Sequence, residues 1–178
     1  MATAALSGKK IYTYEDINSL PEGNYEIIDG EMRDMTPTGF YHGDLEGALY
    51  ELIKRQLKDK GYVAVGEVGV VISRNPFRLR AADVVYISKE KSPERPKGML
   101  EIAPDLIVEI LSEDNTAKDI NDKVKDYLSI GVKKIVLVDP FTETITVYQH
   151  GKKEAGYYSF DDEFELIDGL IVKLKGII

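Results

Sequence analysis

The chain contains no cysteine, so a disulfide framework, a cysteine nucleophile and thiolate zinc sites are all excluded. Histidine is nearly absent too. With only His42 and His150, neither a three-histidine zinc site nor a helical HExxH metalloprotease motif can be built. Any metal must be held mainly by oxygen, which narrows the ions to Mg, Mn or Ca. No apolar run approaches the roughly 18 to 20 residues of a membrane span, and the opening MATAALSGKK shows no charged region followed by a long apolar stretch. A soluble, cytoplasmic protein with no membrane partner is expected. Excess positive charge is also missing: 23 Lys and Arg against 31 Asp and Glu leave a net charge of −8. The chain as a whole therefore lacks the basic footprint of a strong nonspecific nucleic-acid binder. Nucleic acid would need a local basic groove or a metal.

What is present fits one compact domain spanning residues 1–178, since 178 residues suffice for a real core and no repeat or Gly/Ser linker divides them. Tyr25 to Met35 carries an Asp29-Gly30 turn between two strand-like runs, an N-terminal β-hairpin. Leu45, Ala48, Leu49, Leu52, Ile53 and Leu57 recur at helical spacing and predict an amphipathic helix from about Gly43 to Lys58. Strands are expected at Tyr62 to Ser73 and Asp83 to Ile87, then an exposed charged loop at Lys89 to Lys97. Leu106 to Leu111, LIVEIL, suits a central strand covered on both faces. A second helix is predicted from about Thr116 to Ile130, followed by strands at Ile135 to Val138 and Thr144 to Tyr148 and further short strands beyond Lys152. The order indicates an α/β or α+β domain with a mixed sheet.

One residue breaks the apolar strand LIVEIL: Glu109. An ionised carboxylate in a dry strand costs several kcal/mol, so it requires a cation, either a metal or an arginine, unless one face of the strand is exposed. Asp83 heads the strand ADVVYI, where a side chain can emerge from the core into a cleft, although an Asp there can equally be a turn residue. Two carboxylates on neighbouring strands can share one Mg ion through oxygen. On the second helix Lys123 lies closest to the apolar face around Val124 and Tyr127, within reach of the sheet; the alternative is a snorkelling surface lysine paired with Asp119. His42 projects to the side of Leu45 and Leu49, as a structural histidine or a contact to water or phosphate at a cleft. Glu26, Glu31 and Glu46 could each add a carboxylate to a metal site.

Taken together, YEIIDGE, His42 at a helix start, RAAD, APDLIVEILS, and a helix with Asp119, Lys123 and Tyr127 leading into GVKKIVLVDP resemble the Uma family of bacterial putative restriction endonucleases, within the PD-(D/E)XK nuclease superfamily. The resemblance covers about Tyr14 to Tyr148. It implies a restriction-endonuclease-like mixed β-sheet flanked by helices, and Mg bound by two acids. Asp83 matches the aspartate of the PD pair, with Ala82 in place of its proline, and Glu109 matches the acid of the next strand. The backbone carbonyl of Ile110 would be a further ligand. Leu111 stands where the superfamily lysine usually falls, and Lys123 matches a lysine moved to the following helix. A literal Pro104-Asp105 competes with Asp83, but positions i and i+4 of one strand sit ~13 Å apart, too far to share an ion.

The leading expectation is a Mg-dependent endodeoxyribonuclease, with Mn as an alternative ion, in which Asp83 and Glu109 hold the metal and Lys123 activates or orients the attacking water. Arg74, Arg78 and Arg80 are expected to form a cationic rim for DNA, and a homodimer would address both strands. Two other readings stand beside it: a non-catalytic nuclease-like scaffold that binds protein or nucleic acid, and a metal-dependent hydrolase of small phosphates.

Overall fold

The computed structural model describes residues 10–177. Along the chain a short 3-10 helix, Tyr14–Ser19, leads into β1 (Tyr25–Ile28), β2 (Glu31–Asp34), α1 (Phe40–Leu57), β3 (Gly61–Arg74), β4 (Phe77–Ser88), β5 (Leu106–Ile110), α2 (Ala117–Ser129), β6 (Lys134–Asp139), β7 (Thr144–Gln149), β8 (Gly156–Ser159), β9 (Phe164–Ile167) and β10 (Leu170–Val172). The first eight strands form one mixed sheet in the order β2-β1-β4-β5-β6-β7-β8, with β3 paired to β4, and β9 and β10 form a separate hairpin. Only β5 and β6 are parallel, joined by α2, as a βαβ crossover requires.

The expected elements are present, and their limits have local causes. Asp29-Gly30 makes the first hairpin turn with both residues at positive φ. The Thr116 hydroxyl accepts the Asp119 N–H to cap the start of α2, and Gly131, at φ 90°, ends it. The first helix starts at Phe40, three residues before the expected Gly43, so His42 lies inside its first turn.

Two helices cover opposite faces of the central strands. Leu45, Leu49, Ile53 and Leu57 of α1 pack with Val84, Tyr86, Leu106 and Val108, whereas Val124 and Tyr127 of α2 pack with Val85, Ile107 and Ile135. That alternation explains why β5 is apolar everywhere but at Glu109: both of its faces are buried. Each such aliphatic side chain contributes about 1.5–3 kcal/mol relative to an exposed position. Glu109 follows Ile107 by two residues, so strand periodicity directs it toward the α2 face, whereas Asp83, in the middle of β4 rather than at its expected head, meets His42 and Glu46 of α1.

A change of partner along β4 positions the site. One edge of β4 is paired with β3 along nearly its whole length. The other edge pairs with β1 at Leu79 and then with β5 from Val84 to Tyr86. Among the described residues, positions 80–83 have no strand on that edge, so the sheet forks there. On the opposite edge the register slips at the same level: Val65 pairs with Val84 and Val68 with Ala82. Gly66 and Glu67 thus oppose the single residue Asp83 in a β-bulge, with φ of 87° and 57°.

Candidate active site

Backbone groups in the fork lack strand partners, and side chains take over. The Ala81 N–H donates to Glu26 Oε1 at 3.4 Å. The Ala81 carbonyl accepts from Lys123 Nζ at 3.1 Å and from the Tyr127 hydroxyl at 3.5 Å. Across the fork the Ile110 N–H donates to Asp83 Oδ2 at 2.6 Å, so the carboxylate continues the ladder where the strand pairing stops. Ile110 meets the site through this N–H, and its expected role as a carbonyl ligand remains a proposal.

Glu109 is 5% exposed and bound on both oxygens. Lys123 Nζ donates to its Oε2 at 2.8 Å and the Tyr127 hydroxyl to its Oε1 at 2.6 Å. The structure therefore brings Glu109 and Lys123 into a buried ion pair, with Glu26 Oε1 a further 3.3 Å from the ammonium. Lys123 does not pair with Asp119, which bonds the Thr116 hydroxyl instead. Burial pushes the Glu109 carboxyl up to about 7, helped by Asp83 and resisted by Lys123. Burial alone would lower the Lys123 ammonium, but Glu109 and Glu26 outweigh it and raise the pKa, so this lysine stays charged.

Asp83, 4% exposed, is also approached from α1. His42 Nε2 lies 3.4 Å from Asp83 Oδ2 and 3.4 Å from Glu46 Oε1. The ligand atoms of His42, Glu46 and Asp83 all lie within 4.8 Å of one another, close enough to hold one metal ion. His42 Nε2 is buried without a hydrogen-bond partner. Desolvation lowers the His42 pKa, but the adjoining Asp83 carboxylate, and then Glu46, raise it overall. Desolvation and then Asp83 raise Glu46 as well. Glu67, which no periodicity singled out, adds a further acid through the bulge. Its Oε2 is buried and unpartnered, and desolvation, reinforced by Asp83, pushes its carboxyl up to about 7. The one signal for it in the sequence is Gly66, a glycine inside a strand pattern, which marks bulges.

The remaining candidates separate cleanly. Glu26 serves the site indirectly, pairing with Arg80 NH1 at 2.7 Å as well as with Lys123. Glu31 stands past the turn on the outer strand β2, exposed and outside this group. Asp105 is structural: its Oδ2 accepts the Ser88 N–H at 2.8 Å and its Oδ1 lies 3.3 Å from Lys91. The expected cationic rim is not there. Arg80 is 5% exposed and bridges Glu26 and Asp126, Arg78 bridges Asp29 and Asp126, and Arg74 pairs with Glu101. At the fork the buried Arg80 is neutralised because burying a charge demands a counter-charge, while Arg74 is an exposed pair at the end of β3.

A mixed sheet forked at its central strand, with buried acids and a lysine gathered in the fork, defines an α/β fold of the restriction-endonuclease-like class. Its overall shape matches the crystal structure of a protein from Anabaena variabilis described as a putative nuclease belonging to DUF820, with a TM-score of 0.77 at 20% identity over 93% of this chain and 97% of that one. The family model Uma2, described as "Putative restriction endonuclease", matches residues 12–175, and the chain belongs to this family. No curated protein matches the sequence. Among the described residues no helix is long and apolar enough to cross a membrane.

Proposed function

We propose that this chain is a divalent-metal-dependent endodeoxyribonuclease with Asp83, Glu109 and Lys123 as its catalytic residues. The observation that carries the reading is the buried Lys123 to Glu109 pair at 2.8 Å beside Asp83, whose neighbours His42 and Glu46 complete a donor cluster. Placing a lysine, two acids and an imidazole together in one buried fork is costly for stability and suits phosphodiester chemistry. The donor set is hard oxygen with one imidazole, which fits Mg or Mn and does not fit a thiophilic ion. Asp83 and Glu109, with His42 and Glu46 as accessory donors and the Ile110 carbonyl nearby in the chain, would hold it. A bound divalent cation supplies charge stabilisation at a phosphoryl oxygen and an acidified water.

The chain's own groups do the rest. Lys123 remains an ammonium, so it acts as a fixed positive charge against the extra negative charge of the pentacovalent transition state rather than as a base. The Ala81 carbonyl and Glu109 fix its position. Glu67 Oε2, unpartnered and with its carboxyl near neutrality, can hold or release a proton at the pH of the reaction. DNA is the proposed substrate, the cytoplasm the proposed location, and a two-fold dimer would present one site to each strand. Neutralisation of Arg74, Arg78 and Arg80 leaves no arginine rim for the duplex, and this favours the non-catalytic scaffold as the second reading.

Cleavage of supercoiled, linear and single-stranded DNA with Mg or Mn, compared across wild type, Asp83→Ala, Glu109→Ala and Lys123→Ala, tests the proposal. Metal-dependent cleavage by wild type should fall by roughly 100-fold or more in each variant. A wild type that cuts no DNA with either metal would sink the nuclease reading, with turnover of small phosphodiesters pointing instead to a small-phosphate hydrolase.

A further inference from the structure

A second concavity lies away from the fork, where the C-terminal half of α1 meets the start of β3 and the end of β4. It encloses about 160 Å³ and is lined by Lys54, Lys58, Lys89 and Arg95 together with Tyr50, Tyr62 and Tyr86, and by no carboxylate. In a chain of net charge −8 this is an unusual gathering. The arginines near the fork are consumed by acids, as described above. Here Lys54 donates to the Tyr50 hydroxyl at 2.6 Å and Arg95 lies over the Tyr62 ring at 5.2 Å, both neutral partners. Among the described residues none of these four cations forms an ion pair.

The wall of the pocket supplies an independent observation. Tyr86 is 1% exposed, and its hydroxyl is buried with no hydrogen-bond partner. An orphaned buried hydroxyl forfeits the hydrogen bond that it makes with water in the unfolded chain. Gly61 allows the ring to pack there: a Cβ at this position would fall 2.4 Å from the Ile87 carbonyl and 2.6 Å from the Tyr86 ring. Burial, reinforced by Asp168 and Asp105 behind the lining, pushes the Tyr86 pKa up to about 12, so the group is a donor at any physiological pH. Four unpaired cations and an unused donor, with no carboxylate in the lining, call for a compact ligand that is multiply negative and accepts only. The volume is below the roughly 300 Å³ at which pockets for larger organic ligands begin, so it admits the anionic group alone.

We propose that this pocket is a phosphoryl-binding site, in which Lys54, Lys58, Lys89 and Arg95 supply the charge and the Tyr86 hydroxyl a buried donor for inorganic phosphate or a terminal phosphate monoester. It stands apart from the nuclease reading, because Lys89 lies six residues along the chain from Asp83, about 20 Å at the rise of a strand. Either source presents the same tetrahedral oxyanion. Arginine and lysine are the side chains that complement it, and the half-buried Tyr50 and Tyr62 at the rim would meet whatever the phosphate is attached to.

The test is a titration of the metal-free full chain with inorganic phosphate, followed through the amide resonances of Gly61, Tyr62 and Lys89. Saturable shifts at these amides are expected at millimolar phosphate, weakened at least tenfold in a Lys54→Gln, Arg95→Gln double variant whose substitutions are exposed. A 5′-phosphorylated tetranucleotide that shifts the same amides several-fold more tightly than inorganic phosphate, while its 5′-hydroxyl form does not, would identify a strand terminus as the source. Equal affinity for the two phosphates would identify the free anion. No saturable shift up to roughly 10 mM phosphate, or shifts that survive the double variant, would overturn the proposal.

Discussion

Glu109→Gln removes the one charge that the central strand buries on the α2 side, and its effect on stability can be worked from the structure. The ordinary glutamate value is 4.5 and burial raises Glu109 to about 7. In the unfolded chain the group ionises freely above 4.5, whereas the folded state binds its proton up to about 7. The folded state thus holds more protons across this window, and its stability is lost as pH rises through it and then levels off. At about 1.4 kcal/mol per pH unit the whole interval is worth about 3 kcal/mol, of which about 2–3 kcal/mol falls between pH 5 and pH 8. Gln has no proton to lose. Wild type and Glu109→Gln, both in chelator, should therefore diverge with pH: the variant gains about 2–3 kcal/mol relative to wild type from pH 5 to pH 8. Glu67 shares the same window but is present in both proteins and cancels to first order. Urea unfolding followed by far-UV circular dichroism at pH 5, 6, 7 and 8 measures the difference. A gap that stays constant with pH, or a variant that loses ground as pH rises, would refute the claim that burial raises the Glu109 carboxyl.

Two other perturbations separate structural charges from chemical ones. Asp105→Ala should leave DNA cleavage and its metal dependence intact while costing about 1–3 kcal/mol in urea unfolding, since the Ser88 N–H loses its acceptor; a loss of cleavage would return Asp105 to the role assigned to Asp83. Arg80→Met leaves Glu26 and Asp126 without their buried counter-charge and should destabilise the fold by about 3–5 kcal/mol in thermal or urea unfolding. An effect below about 1 kcal/mol would mean that the pairing at the fork is not required for folding.

The strength of each local signal decided how much the sequence could reveal. Helix α2 was readable to within a residue at either end because Thr116 and Gly131 act through their own backbone geometry. The strand LIVEIL betrayed both its double burial and its odd member, since an acid among five apolar residues needs an external reason. Helical periodicity left Lys123 either reaching the sheet or paired with Asp119, the family resemblance favoured the first, and in the structure it bonds Glu109. The arginines went astray because charge was counted along the chain: Asp126 and Glu26, 46 and 54 residues from Arg80, are what neutralise it. Glu67 was hidden because a bulge reverses the in and out alternation on which strand reading depends. Tyr127 was legible as a core residue, but its hydroxyl contact with Glu109 depends on the distance between α2 and β5, which no local pattern encodes.

The fork gives these particulars a common cause. A strand that changes partner in mid-course must leave backbone donors and acceptors unpaired, and buried peptide groups cannot stay so. At positions 80–83 the available solution is side chains: Glu26 for an N–H, Lys123 and Tyr127 for a carbonyl, and Asp83 for the N–H of Ile110. Those replacements are charged, so they need partners of their own, and Arg80, Asp126 and Glu109 follow in turn. The same network that closes the sheet therefore assembles acids and a lysine around one opening. It also explains why only part of it is free for chemistry. Glu26, Arg80 and Asp126 have their charges matched within the network, whereas His42 Nε2, 3.4 Å from both Asp83 and Glu46, and the unpartnered Glu67 Oε2 reach the fork from α1 and the bulge. Removing either of these two from the fork should leave the backbone pairing there unchanged, whereas removing Asp83 must break the site and the sheet together.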